Sequence, residues 1–246
     1  MTKTAIEAKG LTKTYKNKTA VDDLSFTIDQ GELFALLGVN GAGKSTTIKI
    51  LSCLTKADKG DALLLGNSVT KDSLKVKELI SVSPQETAVA ANLTVRENLE
   101  LMAGVYGYRP KEAKTKAEDI IQSFGMADIA KNKAKTLSGG WQRRLSIAMA
   151  LISDPQILFL DEPTLGLDVL ARRELWRTIE KLKGHVTMIL TTHYLEEAEA
   201  LADRIAIMTN GRLEAVGTAE ELKAVASKDS FEEAFIALAE KGGSLI

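Results

Sequence analysis

Apolar and polar positions alternate through the first thirty residues around a Lys16-Asn17-Lys18-Thr19 turn. Ile6 and Ala8, then Leu24, Phe26 and Ile28, fall on one period-2 face, the pattern of antiparallel strands. Residues 33–37 break the alternation. Leu33-Phe34-Ala35-Leu36-Leu37 is apolar throughout and runs into a glycine-rich turn, after which Ile48, Leu51 and Leu54 recur at helical spacing from Ser45 onward. The expectation is strand, loop, helix. A short strand near Leu79 to Ser83 closes at Pro84-Gln85, and residues 86–154 then read as an inserted helical subdomain. Its helix starts are a capping box at Thr94 and Glu97, Pro110 in a first turn, and Ser138 ahead of Gly139-Gly140, with a stop at Asp154-Pro155.

Strand character returns at Ile157 to Leu160, Val186 to Leu190 and Ile205 to Met208, separated by helical stretches near 170–183 and 194–202. Strands alternating with helices predict a largely parallel α/β sheet. Asn210-Gly211 between two apolar runs predicts a closing antiparallel hairpin. Capping boxes at Thr218/Glu221 and Ser230/Glu233 open two terminal helices, so the chain divides into residues 1–217 and a helical extension, 218–246.

Composition narrows the function classes. The 246 residues carry 32 Lys and Arg against 33 Asp and Glu, a formal net charge of −1, which lacks the basic footprint of a dedicated nucleic-acid binder. The one cysteine, Cys53, has no intramolecular disulfide partner and reads as a core thiol in a reducing compartment. Apolar runs are too short to span a bilayer and Met1 opens no signal sequence, so any membrane role passes through a partner.

The candidate chemistry begins at residues 38–45. Gly38, Val39, Asn40, Gly41, Ala42, Gly43, Lys44 and Ser45 match G-x-x-x-x-G-K-[ST] between a buried strand and a helix. Glycines at this spacing turn backbone N–H groups onto phosphates and the helix start adds partial positive charge. Lys44 reaches the β/γ oxygens, Ser45 ligates Mg²⁺, and Thr46 reaches the α-phosphate. Asp161 and Glu162 end the Ile157–Leu160 strand, Asp161 as the Mg²⁺ carboxylate and Glu162 as a general base for water. Ser138-Gly139-Gly140 makes a second anion-ready helix start, either a plain cap or a site serving a neighbouring copy's nucleotide. His193 is either a terminal-phosphate partner or a polar loop residue, and Gln85 can sense Mg²⁺ or water through its amide. Tyr15 either stacks on an adenine or packs as an edge-strand aromatic.

In order, these pieces resemble the ATP-binding cassette (ABC) ATPase domain from about Tyr15 to Gly217. Residues 38–46 stand as the phosphate loop, Gln85 as the Q-loop, Leu137-Ser138-Gly139-Gly140 as the signature, Ile157 to Glu162 as Walker B, Leu165-Gly166-Leu167-Asp168 as the D-loop and His193 as the switch histidine. The resemblance implies a P-loop NTPase (RecA-like) core with an N-terminal antiparallel β subdomain and an inserted helical subdomain, binding ATP and Mg²⁺. It further implies two copies, identical or related, sandwiching two ATP molecules, with Ser138 and Gly140 of one facing the γ-phosphate at Lys44 of the other. Such a dimer drives a separate integral membrane permease subunit, touched by the loop from Gln85 to about Asn92, and sits on the inner face of the cell membrane. The chain departs from the signature at Trp141, where the family usually carries Gln, with Gln142 displaced by one. Residues 141–145 and 97–107 look like bacterial exporters of the drug, sodium or polysaccharide type. Non-transport ABC ATPases of translation or DNA repair carry tandem cassettes or a long coiled-coil insertion, for which residues 86–137 leave no room. A switch GTPase resembles the chain at the phosphate loop alone: Asn17-Lys18-Thr19-Ala20 and Asn132-Lys133-Ala134-Lys135 both lack the base-reading Asp.

Overall fold

A computed structural model describes residues 3–241. Two long strands, β1 (Thr4–Tyr15) and β2 (Lys18–Asp29), pair antiparallel as their alternation predicts. The adjoining β4 (Lys59–Leu64) and two-residue β5 (Asn67–Ser68) complete a four-stranded sheet in the order β2-β1-β4-β5. The second sheet contains β3 (Leu33–Leu37), β6 (Ile80–Ser83), β7 (Ile157–Asp161), β8 (Thr187–Thr192), β9 (Arg204–Thr209) and β10 (Arg212–Gly217). Its order is β10-β9-β3-β8-β7-β6, parallel except for the β9–β10 hairpin that turns at Asn210-Gly211.

The central strands are buried on both faces, which is why β3 and the Ile157–Leu160 stretch of β7 read as unbroken apolar runs. Phe34, Leu36, Phe159 and Ile189 point into a core shared with the antiparallel sheet and with α1 (Lys44–Leu51). Leu33, Leu158, Leu160 and Leu190 point the opposite way, toward α3 (Val95–Val105), α4 (Pro110–Ser123), α5 (Gly139–Leu151) and α6 (Val169–Glu180). At the other end of that face Ala35, Leu37, Ile205 and Ile207 pack on α7 (Leu195–Leu201), α8 (Ala219–Ala226) and α9 (Phe231–Lys241). The capping boxes at Thr94/Glu97 and Thr218/Glu221 form in full, and Ser230 Oγ accepts from Glu233 N at 3.2 Å. Residues 242–246 of the expected extension, and Met1 and Thr2, lie outside the described residues.

Three local expectations differ. The segment between the phosphate-loop helix and Leu79 holds β4, β5 and α2 (Ser73–Leu79), none of which the pattern announces. Cys53 is half-buried rather than core, because the chain leaves α1 there through a left-handed residue (φ 58°), and its thiol leans on Val69 O at 3.6 Å. Tyr15 is not packed into the core of the sheet. Its ring is 44% exposed at the end of β1, with Lys13 Nζ 5.5 Å from the centroid.

Candidate active site

The strands β3, β6, β7 and β8 run parallel, so their carboxyl ends open on one edge of the sheet, the usual place for a ligand crevice in such folds. A cleft of about 410 Å³ lies there. Residues 40–46 form its floor, Lys18 and Ala20 of β2 one wall, and Gln85, Glu162, Leu165 and His193 the other.

The floor is a loop wound around two glycines that no other residue replaces without movement. At Gly43 (φ 104°) a Cβ would stand 2.3 Å from Ala20 O, and at Gly38 it would stand 2.3 Å from Met208 O. The close fit leaves Lys44, Ser45 and Thr46 in the first turn of α1, where amide donors have no intrahelical acceptor and the helix dipole favours an anion. Lys44 is buried. Its Nζ donates to Gly38 O at 2.7 Å and Val39 O at 3.3 Å, and lies 3.3 Å from Glu162 Oε1.

Glu162 follows β7 in a left-handed conformation (φ 47°), unusual for a non-glycine residue. Its amide is held by Thr191, bonding to both the carbonyl at 3.1 Å and Oγ1 at 3.0 Å. The twist aims the carboxylate into the cleft, where Oε2 meets His193 Nδ1 at 2.7 Å. Strain of this kind persists only where the surroundings over-determine it and is concentrated at working sites. One residue earlier, Asp161 Oδ1 accepts from Ser45 Oγ at 3.2 Å and from Thr191 Oγ1 at 2.6 Å.

The fold therefore gathers Gly38, Asn40, Gly41, Ala42, Gly43, Lys44, Ser45, Thr46, Gln85, Asp161, Glu162 and His193 at one edge. It leaves Ser138, Gly139, Gly140 and Tyr15 outside this cleft. Ser138 caps α5, accepting from Trp141 N at 3.4 Å, and that helix start packs instead on Leu167 and Ala171. Trp141 packs on the helical core under the Arg144 guanidinium, 4.4 Å away. Gln142 Nε2 donates to Ala134 O and Leu137 O, both at 3.2 Å.

Sequence reasoning missed three groups of contributors: the pair Lys18 and Ala20, then Thr191, then Arg143. Lys18 and Ala20 arrive through the β1–β2 hairpin, and only a three-dimensional contact reveals them. Thr191 carries a readable signal, a hydroxyl at the end of a buried strand two residues before His193. The third is Arg143, 4% exposed, whose guanidinium donates to carbonyls of Pro84, Gln85, Asp161 and Pro163. Burial pushes it down to about 10, against the pull of Asp161, Glu197 and Glu162, so it is a cation at neutral pH.

Residues 21–165 match the family model described as ABC transporter. The daunorubicin/doxorubicin resistance ATP-binding protein DrrA of Streptomyces peucetius is 44% identical over 220 residues, covering 89% of this chain and 67% of that protein. The probable multidrug ABC transporter ATP-binding protein YbhF of Escherichia coli is 42% identical over 242 residues, 96% of this chain and 42% of YbhF. The chain thus spans under half the length of one relative and two thirds of the other. Among solved structures, the dimeric post-hydrolysis state of the ATP-binding cassette MJ0796 with ADP and Pi superposes with a TM-score of 0.76 at 28% identity, covering 87% of this chain and 98% of that one. A match over more than half its residues, reaching from the β2 strand through the phosphate loop to the turn after Glu162, means that the chain belongs to the ABC transporter family and is one of its ATP-hydrolysing cassettes.

Proposed function

We propose that the chain is the ATP-hydrolysing subunit of an ABC exporter, in which two cassettes close over two ATP molecules and pull on a separate membrane permease. The observation that carries the catalytic part is the convergence of Lys44, Glu162 and His193 within 3.3 Å contacts over the phosphate loop. The amides opening α1 and the Lys44 ammonium bind the phosphates, with Asn40 to Thr46 wrapped around them. Glu162 takes the proton of the attacking water, and His193 holds the carboxylate in place through Nδ1. Thr191 fixes both Asp161 and Glu162 by one hydroxyl.

The oxygen donors Ser45 Oγ and Asp161 Oδ1, 3.2 Å apart, suit a hard cation. When bound, Mg²⁺ supplies charge neutralisation at the β/γ oxygens, with Ser45, Asp161 and Gln85 as its protein-side neighbours. Tyr15, exposed at the end of β1 and outside the cleft of its own chain, is the aromatic offered to the adenine. Ser138, Gly139 and Gly140, outside their own chain's cleft, serve a second cassette's nucleotide. The dimeric state of MJ0796 supports that arrangement.

Among the described residues no helix is long and apolar enough to cross a membrane. A groove of about 450 Å³ beside the Gln85 loop, lined by Leu54, Pro84, Ala88, Met102 and Tyr106, supports docking of a permease there, on the inner face of the membrane. The relatives' names, drug resistance and multidrug transport, support an exporter of drug-like compounds. Glu162→Gln tests the core of this reading. Turnover should fall about 10²–10⁴-fold while ATP affinity holds, and ATP should convert the variant from monomer to dimer in sedimentation. Hydrolysis at the wild-type rate removes Glu162 from its role.

A further inference from the structure

Arg143 sits five residues into the helix that Ser138 caps, and every acceptor it uses belongs to the other side of the site. Nε donates to Pro163 O at 2.8 Å and Nη2 to Asp161 O at 2.8 Å, both in the turn that carries Glu162. Nη1 donates to Pro84 O and to Gln85 O at 3.2 Å, the loop leaving β6. All four acceptors are main-chain carbonyls, so the guanidinium holds loop positions rather than side chains. A planar fork does this and a single-point ammonium does not. One helical turn on, Ser146 Oγ meets Ser83 Oγ at 3.3 Å, a second buried tie between α5 and β6. On its opposite flank the start of α5 is fitted to the segment after Asp168, since a Cβ at Gly140 would stand 2.9 Å from the Ala171 Cβ.

The helix start at Ser138 is thereby tied to the loops carrying Gln85, Asp161 and Glu162. We propose that Arg143 is a positioning residue that couples the chain's two nucleotide-facing surfaces, so that occupancy felt at Ser138 is transmitted to the Gln85 and Asp161–Glu162 loops and hydrolysis becomes cooperative between two cassettes. The proposal rests on the two-cassette reading above, in which Ser138 faces a neighbour's nucleotide. Contacts that run without a break from the helix start to both loops are able to carry such coupling. Arg143 makes no hydrogen bond to residues 40–46, so metal-free ATP binding to a single cassette should not depend on it.

The test uses the full chain and ATP itself. Wild type should hydrolyse ATP with a Hill coefficient above 1. Arg143→Lys, which keeps the positive charge but not the fork, should bring the coefficient to 1 and lower kcat about tenfold. Its ATP affinity, measured by equilibrium binding in the presence of a chelator, should stay within about twofold of wild type. Arg143→Gln carries the same expectation should the lysine variant not fold. A lysine variant with wild-type kcat and cooperativity overturns the proposal, because charge alone then suffices. A variant that loses ATP affinity in step with kcat overturns it too, since that is the mark of a distorted fold. Sedimentation of Glu162→Gln with ATP separates the two readings: no dimer defeats the two-cassette arrangement itself, whereas a dimer whose wild-type counterpart shows a coefficient of 1 defeats only the coupling.

Discussion

Gly43→Ala measures how tightly the phosphate loop is seated on the antiparallel sheet. Gly43 has φ 104°, a conformation that costs an alanine about 1–2 kcal/mol through contact of its Cβ with backbone. The added methyl would also lie 2.3 Å from Ala20 O and 3.3 Å from Gly211 Cα, so either β2 or the β9–β10 turn must retreat. Forced repacking of that kind costs about 1–3 kcal/mol more. Gly184→Ala is the control. It has φ 77° and nothing within 4 Å of the new carbon, so it carries the conformational term alone. Gly43→Ala should therefore lose about 2–5 kcal/mol and Gly184→Ala about 1–2. Urea unfolding followed by circular dichroism reads the difference as a shift in midpoint at unchanged slope. Because Ala20 walls the cleft, Gly43→Ala should also weaken ATP binding, and Gly184→Ala should not. Equal midpoints for the two variants, or undiminished ATP affinity in Gly43→Ala, would refute the seating argument.

Asn98, fully buried, accepts from Ala90 N at 2.7 Å and donates to Thr94 O at 2.9 Å, pinning the loop ahead of α3. Asn98→Ala should cost about 2–4 kcal/mol in the same assay, since it orphans several backbone groups, and a change under 1 kcal/mol would contradict that role. Thr191→Val removes the hydroxyl shared by Asp161 and Glu162, so kcat should fall about tenfold with the melting temperature little changed. A wild-type kcat would mean that the two carboxylates hold their places unaided. Glu197 is fully buried and takes Trp176 Nε1 at 3.1 Å on one oxygen, with the Thr164 and Thr192 hydroxyls beside its carboxyl. Burial raises its carboxyl above the ordinary 4.5, with the Glu162 charge adding to the rise. The folded state thus holds the proton more tightly than the unfolded one, and stability declines as pH climbs from about 4.5 through the folded value. Glu197→Gln should melt higher than wild type at pH 8, with an advantage that shrinks as pH is lowered through that window. A pH-independent difference would show that Glu197 is not titrating there.

What the sequence discloses and what it hides divide along the reach of the interactions involved. The phosphate loop is legible because its strand, glycines, lysine and helix are contiguous, and each cap is a contact over three residues. Residues 59–79 are not legible, because β4 exists through its pairing with β1 some fifty residues earlier. That pairing needs Gly60, with φ 77° and no room for a Cβ beside Gly10 O at 2.3 Å, which on the string is one glycine among many. Arg143 reads as one more charge on a helix beside Arg144. Its burial is decided by four carbonyls from two distant loops, and no local pattern encodes their convergence.

The same division explains why the site depends so strictly on sheet register. In the parallel ladder Asp161 stands opposite Thr191, and Leu37, the last residue before the phosphate loop, opposite Thr192. Registered neighbours project to the same face, so Asp161 and Thr191 both point toward α1, where Ser45 Oγ completes the cluster. A slip of one residue between β7 and β8 would bring Leu190 opposite Asp161 and turn Thr191 to the other face. The slip is resisted by the alternation beneath it. Phe159 and Ile189 fill the core against the antiparallel sheet, while Leu158, Leu160 and Leu190 fill the core against the helices, and exchanging the two sets would mismatch both. The apolar strands that carry no chemistry thus hold the carboxylates and hydroxyl at their ends within hydrogen-bonding distance, and the site's geometry is a consequence of core packing several residues below it.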